Sequence, residues 1–377
     1  MNFRRTKAIA KKELIHIVRD PRSLGMAIAI PMLLLILFGY ALTLDVDHVE
    51  TVVLDRDGTQ LSRGFIERFG RSRYFNLRSQ VITYEALQRM IDAGQAQMGL
   101  IIPYDFSRKI TRGEDLPIQV ILDGSDSNTA TIIWGYVSGL IQLYTLELSQ
   151  DPRYREVLKP SLPVVDLQSR VWFNADLESK NYIIPGLIAV IMMVIAALLT
   201  SLTVAREWER GSMEQLISTP VKNMELIIGK LFPYFLIGLL DVLLSVLMGK
   251  FVFQVPLRGN PLLLFASSAI FLIGVLGLGF FLSVATRSQL LASQLAMVTT
   301  FLPAFLLSGF MYSIANMPWA IQVITHLIPA RYFVTIMKGI YLKGIGVKIL
   351  WAEGIFLVLF SFAIVMLSNR KFKKKLV

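Results

Sequence analysis

Long apolar runs constrain this chain more than any other feature. Six stretches approach or exceed the length a bilayer demands: Leu24–Leu44, Tyr182–Val204, Leu226–Gly249, Leu262–Ala285, Leu290–Tyr312 and Trp351–Leu367. A helix rises about 1.5 Å per residue, so roughly 20 residues cross a hydrocarbon core of about 30 Å. No water is available there, so each run must satisfy its backbone within itself, as a helix. The sequence therefore predicts an α-helical polytopic membrane protein with six transmembrane helices. A mean hydropathy of +0.57 over 377 residues excludes an ordinary soluble domain. Pro31, Pro233 and Pro303 are expected to kink three of the spans.

The formal charge of +11 points to topology, because the cations cluster beside the apolar runs. Arg4, Arg5, Lys7, Lys11, Lys12, Arg19 and Arg22 precede the first span, and Arg206, Arg210, Lys222 and Lys230 lie between the second and third. Arg287 lies between the fourth and fifth, and Arg370, Lys371 and Lys373–Lys375 follow the sixth. Six spans place all four groups, and both termini, on the cytoplasmic side of the membrane. A seventh crossing at 319–342 would expel the basic tail. No nucleic-acid partner is expected. Residues 1–22 read as a helix in the membrane interface, with Phe3, Ala10, Leu14, Ile17 and Val18 on one face and Arg5, Lys12, His16 and Arg19 opposite. A basic leader that only sets orientation is the alternative. No cleavage site follows residues 23–44, which read as an uncleaved anchor.

Residues 45–178 break the pattern. Strand-length runs at Thr51–Leu54, Met98–Ile102 and Ile118–Leu122 alternate with helical spacing at Leu61–Phe69, Glu85–Ala93 and Thr129–Leu148. Turn signals at Asp57-Gly58, Gly94, Gly113 and Asp123-Gly124 separate them. This predicts an inserted α/β extracytoplasmic domain, returning through a charged piece at Asp151–Lys159 and Pro160–Pro163. The region 179–369 holds the other five spans. Within it, 313–348 is half apolar but carries Pro318, Pro329, Arg331, Lys338 and Lys343, which suits an outer re-entrant hairpin. Residues 370–377 form a basic tail.

Chemistry-bearing motifs are few. There is no phosphate-binding G-x-x-x-x-G-K-[ST] loop: Gly229-Lys230 is followed by Leu231, with Met224 where the first glycine belongs. No cysteine exists, which excludes disulfides and thiolate sites, and three scattered histidines give no metal site. Asp123–Asn128 resembles a cation loop only loosely, and a capped strand-to-helix turn explains it better. Asp241 is the one acid well inside a span. It is either part of a translocation path or a carboxyl satisfied between helices, with Lys250 or hydroxyls as partners. Thr200, Ser201 and Thr203 are open to the same two readings. Gly274, Gly277 and Gly279 are read as helix-packing positions.

One polar island remains, Arg206–Pro220, with sequence REWERGSMEQLISTP. Gly211 permits a break, Ser212 and Gln215 have the spacing of a capping box, and Pro220 ends the segment. The expectation is a helix of about two turns with Met213, Leu216 and Ile217 as its apolar face. Alone, such a helix is too short to be stable in water, so it must dock. An ordinary tight loop between two spans is the other reading.

Arg206-Glu207-Trp208-Glu209-Arg210-Gly211-Ser212-Met213-Glu214-Gln215-Leu216, closed by Thr219-Pro220, resembles the cytoplasmic segment of ABC-2 type transporter permeases. Leu307–Gly344 resembles that family's outer hairpin, with Ser308, Gly309, Pro318, Pro329, Arg331 and Tyr332 at its matching positions. The insert with VVLDRDG, IIPYDFS and ILDGSDS is similar to the bacterial subgroup with a large external domain, which includes drug-efflux permeases. The resemblance covers essentially the whole chain and implies a type V exporter-like fold. It further implies a permease that is not itself an enzyme and holds no cofactor. A separate ABC ATPase chain would supply ATP and Mg²⁺, and a second permease would complete a homo- or heterodimer. By analogy, a periplasmic adaptor and outer-membrane channel join, with membrane lipids around. The helix at 213–218 would be the coupling helix, Glu207, Glu209, Arg210 and Glu214 would contact the ATPase, and Met213, Leu216 and Ile217 would fill an apolar notch in it. Asp241, Thr200 and Thr203 would be candidates for the path. A membrane receptor with an external ligand-binding domain is the competing class.

Overall fold

The computed structural model describes residues 2–42, 46–153, 174 and 178–372. The chain divides into two units, Met1–Thr43 with Arg170–Val377, and Leu44–Ser169. Helix α1 (Phe3–Val18) starts at Asn2, whose side chain accepts the Arg4 N–H at 3.1 Å. Pro21 is the first residue of α2 (Pro21–Ala41), a position where its missing N–H costs nothing. Most of the expected linker at 151–163 lies outside the described residues, as do Thr43–Asp45 and the tail from Lys373 onward.

The second unit is a four-stranded sheet with helices: β1 (Val49–Asp55), α3 (Gln60–Arg71), β2 (Phe75–Gln80), α4 (Tyr84–Asp92), β3 (Met98–Ile102), α5 (Phe106–Arg112), β4 (Gln119–Leu122) and α6 (Ser127–Gln150). Strand order is β2-β1-β3-β4, with β1 parallel to β2 and β3, and β4 antiparallel to β3. The two parallel pairings run through α3 and α4, as parallel neighbours require. Val49 and Val53 pack with Phe65, Phe69 and Phe106, while Val52 and Leu54 pack with Leu87 and Ile101. Successive side chains point to opposite faces. Burial on both faces is why β1 reads as a continuous apolar run. Thr59 and Thr83 cap α3 and α4. Gly58, Gly94 and Gly113 turn in the left-handed region, as the turn signals predicted. Strand β2 and helix α5 are additions to the sequence reading.

The first unit continues with α7 (Ser179–Glu209), α8 (Ser212–Ile217), α9 (Asn223–Phe251), α10 (Pro261–Thr286), α11 (Gln289–Leu307), α12 (Trp319–Thr325), α13 (Pro329–Lys338) and α14 (Val347–Lys371). Among the described residues, α7, α9, α10, α11 and α14 are long and apolar enough to cross a membrane, and α2 contributes a shorter apolar stretch at Ala27–Ala41. Helix α7 is the axis. It packs against α2, α9, α10, α11 and α13, and its apolar window is 89% buried, against 17% in α14. Gly279 sits where a methyl would collide with Thr200 Oγ1 and the Ala197 carbonyl of α7, and Gly274 faces Ser361 of α14. The glycines therefore serve close helix approach, as expected. The assigned helices run through Pro31, Pro185, Pro233 and Pro303. Span five ends at Leu307, short of Tyr312, because Ser308 and the left-handed Gly309 turn the chain. Residues 313–348 are a 3₁₀ turn, α12, α13 and a π turn, with α12 and the α13 segment at 85°.

Candidate functional site

The polar island folds as two different structures. Residues Arg206–Glu209 are the last turn of α7 and not loop, and only Arg210 and Gly211 break the chain before α8. Gly211 takes φ +70°, and Ser212 is the first helical residue. The expected capping box is absent, because a glycine in the left-handed region occupies the cap position. Ser212 Oγ instead meets the Glu207 carbonyl at 3.4 Å.

The inward side of this segment is tied to the rest of its own unit. Met213 is fully buried with Ile9, Val204, Leu226, Ile227, Phe280 and Phe372, and Leu216 packs at the edge. This corrects the expectation that Met213 faces a partner: helices distant in sequence already enclose it. Glu207 is likewise turned inward. Its Oε1 lies 3.0 Å from Lys230 Nζ and 3.0 Å from Lys12 Nζ, and Glu13 lies 2.7 Å from Lys230. Glu209 binds the start of α11, accepting the Gln289 N–H at 2.7 Å and its side-chain amide. Arg206 reaches Gln289 Oε1 at 3.3 Å, and Arg287 stands 4.6 Å over the Trp208 ring. What faces outward is Arg210, Gly211, Glu214, Gln215, Ser218, Thr219 and Pro220. The Ile217 side chain lies outside the described residues.

Helix α1 joins this site. Its buried stripe is Thr6, Ile9, Glu13 and Ile17, facing α9, while Phe3, Leu14 and Val18 stay exposed. The stripe is rotated from the expected apolar face because Glu13 has a buried cation to meet. Gly229 lets α1 approach: a Cβ there would be 2.8 Å from Ile9 Cβ. The Asn2 N–H reaches Glu225 at 2.5 Å, and Arg5 bonds the Pro220 carbonyl. Sequence reasoning took Lys230 only as a topology cation and did not single out Glu13. An acid in the buried stripe of α1 and a lysine beside Gly229 were the available signals.

The other candidates are dispersed. Thr200 Oγ1 donates within 3.0 Å of the Ala196 and Leu276 carbonyls, and Thr203 Oγ1 donates to Thr200 O at 2.8 Å. Their hydroxyls are engaged in packing. Asp241 is buried with Oδ1 unpartnered among the described residues. It borders a cavity of about 10 Å³ with Pro31, Met192, Tyr234 and Ser245, at the lower limit for one water. Lys250 is not its partner: nine residues along a helix separate them by about 13 Å, and Lys250 lies 5.6 Å from the Phe251 ring. In the hairpin, Ser308 Oγ bonds the Ala304 carbonyl, and the Gly309 carbonyl accepts from Tyr182 at 3.2 Å and Lys338 at 2.9 Å. Arg331 bonds Thr325 and meets His326 at 3.1 Å, and Tyr332 stacks on Phe356 at 4.0 Å. Pro318 precedes α12 and Pro329 opens α13. Glu353, missed in the sequence, has a buried Oε2 without a partner among the described residues. In the α/β unit, Ser125 hydrogen bonds hold the Asp123 carboxyl below its usual range. Asp126 accepts from Thr129 at 2.6 Å, and no group of three or more metal-type ligands occurs among the described residues.

A long-helix bundle built on one buried axis, with a short helix presented at a polar end and a bent apolar pair, is the architecture of a polytopic membrane protein. The chain belongs to the ABC-2 family of transporter proteins, whose family model matches residues 21–368. It is 39% identical over 377 residues to the probable multidrug ABC transporter permease YbhS of Escherichia coli, covering 100% of this chain and 98% of that one. The probable multidrug ABC transporter permease YbhR of the same organism is 31% identical over 352 residues, 93% of each chain. The inner membrane transport permease YhhJ is 29% identical over 325 residues, 85% of this chain and 84% of that one. The protein is thus a permease subunit of an ABC exporter, a family that implies an ATPase partner and pairing of permeases.

Proposed function

We propose that this permease exports drugs or other amphiphiles from the cytoplasm or inner leaflet, driven by a separate ATPase docked on the exposed edge of 210–220. The observation that carries this reading is the division of that segment. Met213 and Glu207 are buried in the bundle, while Arg210, Glu214 and Gln215 are exposed. A surface helix of six residues held by one buried anchor is a handle. The likeness to YbhS and YbhR, both described as probable multidrug permeases, supports a multidrug cargo. On this reading the polar end with both termini is cytoplasmic, α2 is the first of six spans, and α12–α13 form a re-entrant hairpin at the outer side. The α/β unit is extracytoplasmic, where an adaptor leading to an outer-membrane channel would meet it. ATP and Mg²⁺ bind in the partner chain.

The test is co-purification of the ATPase followed by ethidium uptake into inverted vesicles. Glu214→Lys should leave the permease inserted and abolish both ATPase capture and ethidium transport. Normal transport by that variant would refute the docking surface.

A further inference from the structure

Lys230 lies two turns into α9 with its side chain 1% exposed, held by Glu13 of α1 at 2.7 Å and Glu207 of α7 at 3.0 Å. Lys12 adds a second cation to Glu207 at 3.0 Å. Two carboxylates face two ammonium groups, so loss of any single member leaves the cluster with a net charge. Around it, α1 straddles the exposed segment: Lys12 grips Glu207 just before it, and Arg5 and the Asn2 N–H grip Pro220 and Glu225 at its far end. Gly211, at φ +70°, separates α8 from α7, so the two are not one continuous helix.

We infer that Lys230 is a positioning residue for transport. It fastens α1, the end of α7 and the start of α9 into one body, so that displacement of 210–220 moves that body rather than the loop. This rests on the permease reading above. Buried charge clusters suit such a task because breaking them is costly in every direction, whereas an apolar contact of the same size can slide. Transmission requires that the body keep its internal geometry between the two states that ATP selects.

The chain has no cysteine, so spin labels can be placed singly. Labels at Leu14→Cys on α1 and Phe232→Cys on α9 occupy exposed positions. Their distance distribution should be the same in the nucleotide-free and vanadate-trapped complexes, while a pair at Leu14→Cys and Val358→Cys should shift. A Leu14–Phe232 distance that changes on trapping overturns the inference. The triple variant Glu13→Leu/Glu207→Leu/Lys230→Met replaces the buried charges together by apolar side chains, an exchange that folds tolerate far better than removal of one partner. Its ATP hydrolysis should persist while ethidium moved per ATP falls roughly tenfold, and Lys230→Arg alone should keep the parent ratio. A triple variant with the parent ratio also overturns it. Failure of the ATPase to co-purify with the parent protein would instead strike the permease reading, and is scored separately.

Discussion

Two lysines pack against α7 at its opposite ends, and their surroundings differ. Lys230 is enclosed by carboxylates from two helices. Lys338 has no acid within salt-bridge distance among the described residues; it holds the Gly309 carbonyl at 2.9 Å and lies 3.3 Å over the Tyr182 ring. One cation is matched by full charges, the other by a dipole and a ring quadrupole. The first arrangement resists separation, and the second can be released by rotating one side chain. One end of the bundle is thus joined by opposite full charges and the other by a cation on a carbonyl and a ring.

The contrast is sharpest in Lys230→Met. Removing it strands the buried carboxylate of Glu13 and leaves Glu207 only the half-exposed Lys12, and stability should fall by about 3–5 kcal/mol. Thermal unfolding in detergent would show this, and a midpoint equal to the parent's would break the comparison. Glu209→Ala removes the acceptor of the first N–H of α11 and should lower the midpoint less than Lys230→Met does in the same assay. Lys338→Met removes a cation that no acid compensates, so its stability should stay within about 1 kcal/mol of the parent. A loss as large as that of Lys230→Met would erase the distinction drawn here. Glu214→Lys, on the outward face, should change stability by less than about 0.5 kcal/mol. Its effect belongs to ATPase capture, read by co-purification.

Much of this was legible in the sequence. Apolar run length and charge placement drew the long helices, and the glycines of α10 mark where α7 and α14 pass closely. The segment 206–220 was found, but its faces were misjudged. Met213 and Glu207 look available until Ile9, Lys12 and Lys230 arrive from helices remote in the chain, and no periodicity within the segment contains that information. Strand β2 was missed because Phe75–Gln80 buries only Phe75 fully and alternates weakly. Helix α5 carries too few apolar residues, Phe106 and Ile110, to announce itself. Residues 1–22 were read as one helix, but α1 ends at Val18 and Pro21 opens α2, since proline suits the first turn of a helix.

Helix α7 touches both lysines, through Glu207 near one end and Tyr182 near the other, without an assigned break over 31 residues. Such a rod is about 46 Å long and fixes the angular phase between its tips at 3.6 residues per turn. Inserting a single alanine midway would leave every gripping residue present yet turn one tip by about 100° against the other. The relative orientation of the two gripping ends is therefore written in the residue count of one helix.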